Sequence, residues 1–178
     1  VSFSPDGKWL LYAGEREGSW NLYRTRVLRT NEPYFYASTL LQEEVLLKNG
    51  QENFQPRFSP DGGEVAYLEN RTTVRVLNLT NRTLRTVLAG DRNYSYSDGD
   101  QSFDWSPDSR WLLVGFNDPR RWSREVGLID AAGRGPLVNL TLSGYEDERA
   151  KWVMDGKAMI WSTDRMGMRS HGSWGAEE

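Results

Sequence analysis

The chain has 178 residues, 22 basic and 25 acidic, for a net charge of −3, so no strong field marks nucleic acid or an anionic membrane as its partner. Hydrophobic residues make up 38% and aromatics 12%, with eight Trp. That is ample core for one ordinary domain, and no apolar run reaches the ~18 residues of a spanning helix. With no Cys and a single His, disulfides, zinc–thiolate sites, iron–sulfur clusters and thiol nucleophiles are excluded, and a transition metal has almost no ligands.

The first element in the chain is the phrase Phe3-Ser-Pro-Asp-Gly7, followed by an apolar run at residues 9–13 and a further strand around Asn21-Leu22-Tyr23. Pro presets φ at the second turn position, Asp bonds backbone amides and Gly supplies a left-handed conformation, so the phrase predicts a corner between two antiparallel strands. Residues 29–36 interrupt with Asn31-Glu-Pro33 and three aromatics, predicting a long loop or an extra strand segment. A second unit then runs through residues 55–58, the corner Phe58-Ser-Pro-Asp-Gly62, an apolar run at 65–68, strict alternation at 73–79, a turn at Asn81-Arg82 and a strand at 84–88. The third follows the same plan: 102–105, Trp105-Ser-Pro-Asp-Ser109, 111–114, 125–129, the turn Ala131-Ala-Gly-Arg-Gly135 and 137–142. A degenerate corner, Val153-Met-Asp-Gly156, opens a fourth unit and precedes the run at 158–161.

The corner aspartates lie 55, 47 and 47 residues apart, and the longer first interval places an insertion at 29–36. Four short antiparallel strands per unit of just under fifty residues is the pattern of a propeller blade; a β-sandwich does not repeat one corner at a fixed interval. The expected fold is all-β, a partial β-propeller of about three and a half four-stranded blades, at residues 1–48, 49–90, 91–144 and 145–178. The chain opens inside a first strand without an initiator Met and closes two strands into its fourth unit, so a longer parent chain is expected. Open blade faces and edges then call for more chain or a partner to cover them.

The Ser-Pro-Asp-Gly corner with its aliphatic strand and the Asn21-Leu22-Tyr23 strand resembles the propeller repeats of TolB and of the tricorn protease. The stretches at residues 12–21, 94–100 and 163–175 are similar to the propeller region of tricorn-like serine peptidases from Bacteroides-type bacteria. The resemblance implies a noncatalytic propeller segment that admits or orients peptide for a catalytic region elsewhere in a cell-envelope protein. None of the matched positions is a catalytic residue of that family. The alternative is a stand-alone TolB-like interaction propeller; a third reading is a propeller enzyme with acidic residues at the central channel.

Catalytic chemistry within the chain has little to draw on. His171 is the one candidate base, and its neighbours Ser170 and Ser173 lack a nucleophile elbow. The acidic pairs Glu43-Glu44, Asp98-Gly-Asp100 and Glu146-Asp-Glu148 would need two carboxylates held across a cleft for general acid–base work, which the sequence does not place; the second could also start a calcium loop but lacks its further ligands, and turn-forming Asp is the commoner role. No phosphate loop is present. No catalytic residue, metal or cofactor is therefore expected. Trp9, Trp105, Trp111 and Trp152 sit at strand ends and read as core. Trp20, Trp122 and Trp174 sit in charged or glycine-rich connections and, with Arg169 and His171, are the candidate binding residues. Expected partners are a peptide or protein and the remaining blades or catalytic region of the parent chain, with self-association through open blade edges, and no nucleic acid.

Overall fold

The computed structural model describes residues 1–29, 31, 34–97, 99–120 and 123–165. They form an all-β array of antiparallel sheets, the partial propeller expected from the repeat. The first sheet is ordered β1 (Ser2–Phe3), β2 (Leu10–Arg16), β3 (Ser19–Val27), β4 (Leu41–Leu47). The second contains β5 (Asn53–Phe58), β6 (Glu64–Glu69), β7 (Thr73–Asn78) and β8 (Leu84–Leu88). The third contains β9 (Phe103–Trp105), β10 (Trp111–Asn117), β11 (Arg124–Asp130) and β12 (Val138–Asn139); β13 (Asp147–Val153) and β14 (Ala158–Thr163) pair as the fourth. No helix among the described residues is long and apolar enough to cross a membrane.

The three intact corners share one hydrogen-bond plan. Ser4, Ser59 and Ser106 each donate to the aspartate two residues on at 2.6 Å, and each hydroxyl accepts the amide of the residue five further along at 2.9 Å. Gly7, Gly62 and Ser109 take the left-handed conformation that closes the turn. The fourth corner has Val153 at the serine position and closes by backbone bonds alone, from Gly156 to Val153 and from Lys157 to Met154. The Ser59 hydroxyl is the leading cause that holds the Asp61 carboxyl below its ordinary value. A depressed folded-state pKa contributes stability that is present above the unfolded value, 3.8, and lost as pH falls through the folded one. Ser59→Ala is therefore expected to cost about 1–2 kcal/mol at neutral pH, with the gap to the unchanged protein narrowing below about pH 4. Urea unfolding at pH 7 and pH 3 checks both parts.

Blades join through alternating faces of their middle strands. Val65 and Tyr67 of β6 pack with Leu11, Leu22 and Leu46 of the first blade, while Ala66 and Leu68 pack with Phe103, Trp105, Leu112 and Val114 of the third. In β10, Leu112, Val114 and Phe116 face the second blade and Leu113 faces Ala150 of the fourth. A strand buried on both faces reads as a continuous apolar run, which is why residues 65–68 and 112–114 show no alternation. Polar links cross the same joints: Arg85 Nε donates to Ala131 O at 2.7 Å, the Asp61 amide to Ser109 Oγ at 3.0 Å, and the Trp152 amide to Asp104 at 3.0 Å.

Three local expectations need correction. Trp20 does not sit in a loop. The hairpin turn is only Glu17-Gly18, both at positive φ, and Arg16 pairs with Ser19, so Trp20 lies inside β3. The strand expected at 137–142 is cut to Val138–Asn139, because Asn139 Oδ1 accepts the amides of Thr141 and Leu142 and bends the chain away. Trp111 is half-buried and outside the core clusters; it starts β10 beside the corner, and the residues after it take the joint. The insertion lies where expected, between β3 and β4, with a single 3-10 turn at Phe35–Ala37 among its described residues.

Candidate functional site

Each of the first three sheets is a four-strand meander, so its loops fall on two faces. The corners and the β3–β4, β7–β8 and β11–β12 links share one face; the β2–β3, β6–β7 and β10–β11 links and the inter-blade connections share the other. Between the second and third blades opens a cleft of about 570 Å³. Its floor is apolar: Val87 and Leu88 end β8, Phe116 comes from β10, Ile129 from β11 and Leu137 from the residue before β12. Gly127 makes this floor possible, since a Cβ there would stand 2.5 Å from Leu137 Cδ1 and 3.1 Å from the Phe116 ring.

The mouth on the face opposite the corners is polar. Arg92 is exposed, and its guanidinium has no hydrogen-bond or ion-pair partner among the described residues. Asp118 is buried, accepts the Arg120 amide at 2.8 Å and lies 3.6 Å from the Arg120 guanidinium. Leu142 stands at the edge, 59% exposed. At the other end Gly135 and Pro136 form an uncharged wall. The arrangement suits an extended segment with apolar side chains turned inward.

Of the candidate binding residues, Trp20 is half-buried, its ring 5.5 Å from Phe54 in a tilted contact, and packs on the core between the second and third blades. Trp122, Arg169, His171 and Trp174 lie outside the described residues, as does Asp98. Of the acidic pairs, Glu43 and Glu44 separate. Glu43 bonds Arg16 and Tyr12, and Glu44 bonds Arg24 on the opposite face of β4. Asp100 closes its own turn: burial opposes its charge, but the Ser97 and Tyr96 amides and the Ser95 hydroxyl hold the carboxyl below its usual value. Burial raises Glu146, while Glu148 pairs with Arg124 at 3.3 Å. Glu148 and Asp164 lie close enough to Glu146 to add to that rise. The exposed pair Tyr94 and Tyr96, rings 4.5 Å apart and edge to face, adds an aromatic knob in the β8–β9 connection that follows Arg92.

No protein-family model matches the sequence, and no curated protein matches it. Solved structures do. TolB from Acinetobacter baumannii matches over 90% of this chain and 37% of its own, at 18% identity and a TM-score of 0.63. A putative TolB from Agrobacterium tumefaciens matches over 78% and 47%, at 18% identity and a TM-score of 0.55. An oligogalacturonate lyase from Vibrio parahaemolyticus matches over 78% and 38%, at 17% identity and a TM-score of 0.55. The chain spans less than half of each. In fold it is a TolB-like propeller region.

Proposed function

We propose that this chain is a noncatalytic propeller segment that binds an extended peptide or the loop of a protein partner in the cleft between its second and third blades. The observation that carries the reading is the cleft itself: an apolar floor about 570 Å³ in volume, walled by two blades and edged by Arg92, Arg120 and Leu142. In the finer form of the proposal the segment belongs to a tricorn-like serine peptidase of the cell envelope, where it admits or orients substrate. The stretches at 12–21, 94–100 and 163–175 support that form. The likeness of fold to TolB supports a second reading, a stand-alone interaction propeller. The sequence of the natural polypeptide separates the two, since a peptidase region in it favours the first and its absence the second.

Leu142→Asp tests the site. Leu142 already holds a φ of 43°, which Asp tolerates, and it lies in no core cluster, so the fold is expected to stand. Binding to an array of acetylated, amidated octapeptides rich in Leu, Phe and Val is expected to weaken about tenfold or more, because a carboxylate at the mouth is desolvated by an apolar ligand. Unchanged binding across the array would put the ligand elsewhere.

A further inference from the structure

The cleft has an electrical direction. Both of its cationic side chains among the described residues, Arg92 and Arg120, come from loops on the face opposite the corners, whereas Gly135 and Pro136 close the corner end without charge. Its described lining carries one carboxylate, Asp118, which is 3% exposed and already committed to the Arg120 amide at 2.8 Å. Arg120 lies 3.6 Å from that carboxylate; Arg92 has no hydrogen-bond or ion-pair partner among the described residues. In a chain of net charge −3, an apolar slot that ends at a guanidinium unpaired among the described residues is complementary to a ligand that is apolar along its length and anionic at one point.

We infer that the cleft is selective for an extended segment that carries an internal acidic side chain two residues from a bulky aliphatic one, the aliphatic group entering the floor and the carboxylate meeting Arg92. Side chains at i and i+2 of an extended strand point the same way, so one segment presents both groups to one wall. Arg offers a planar fork that matches a carboxylate in two hydrogen bonds. The inference rests on the cleft being the peptide site and names the class of segment it takes.

The test uses the protein in its natural full-length form and four heptapeptides, each acetylated. Three are amidated, with cores Leu-Ser-Glu, Leu-Ser-Gln and Ala-Ser-Glu; the fourth has a Leu-Ser-Gln core and a free C-terminal carboxylate. Dissociation constants come from titration calorimetry at low salt and at about 0.5 M salt. Replacing Glu by Gln in the peptide is expected to weaken binding about fivefold at low salt, with the gap closing at high salt as screening shortens to a few ångströms. In Arg92→Gln, an exchange at an exposed side chain, the Glu and Gln peptides are expected to bind alike. Equal binding of the two by the unchanged protein, persistence of the gap in Arg92→Gln, or preference for the free C-terminal carboxylate would each overturn the inference while leaving the peptide site standing. Indifference to Leu against Ala would instead remove the site and the inference together.

Discussion

Trp105→Ala is expected to cost about 3–5 kcal/mol of stability, a large share of the 5–15 kcal/mol a domain holds. Trp105 is 6% exposed, ends β9 in the core between the second and third blades, and donates from Nε1 to Arg57 O across the joint at 3.4 Å. Its truncation leaves a cavity lined by two sheets that cannot collapse independently. Phe58 holds the same repeat position one blade earlier at 8% exposure, packed on the first blade, and Phe58→Ala is expected to cost nearly as much. Phe3 is the third member of the series, but it is 58% exposed and touches Phe35 by an edge at 5.7 Å. Phe3→Ala is expected to cost under about 1 kcal/mol. Guanidinium unfolding of the three variants reads the series; a large cost at Phe3 would mean that a further element covers this face in solution.

Glu125→Ala is expected to cost about 3 kcal/mol and to loosen the link between the third and fourth blades. The side chain is fully buried, and its carboxylate accepts from the Thr141 hydroxyl, the Ser143 amide at 3.1 Å and the Gly144 amide at 2.9 Å. Those donors lose their acceptor inside the protein when the carboxylate goes. Glu125→Gln keeps the shape and one acceptor oxygen, so it is expected to cost roughly half as much. If the two substitutions cost the same, the oxygen atoms are not what holds the segment at 139–144, and packing alone carries it.

The fold was legible because one phrase recurs at a fixed interval and each recurrence uses residues whose backbone preferences demand a corner. The serine in that phrase was less legible. Pro, Asp and Gly announce a turn by their own conformations, whereas the Ser59 hydroxyl matters through two hydrogen bonds that exist only once the corner is closed. Trp20 was misplaced because charged and glycine-rich neighbours resemble a loop, while a two-residue turn needs only Glu17 and Gly18. The cleft could not be read at all. Leu88 and Ile129, or Arg92 and Leu142, lie roughly a full repeat apart in sequence and meet only where two sheets are set side by side. Nothing in the local pattern around Arg92 distinguishes it from any other exposed arginine.

The joints described above link each sheet only to its immediate neighbours, and bonds such as Gln55 to Gln101 O and Arg85 to Ala131 O span a single period. Stability in such an array is a sum of nearest-neighbour couplings along a line. The joint between the second and third blades is then set by its own packing and hydrogen bonds. A cleft at the second joint thus has two walls that are each also coupled to a further sheet, so its width is a quantity that ligands and neighbouring blades can both set.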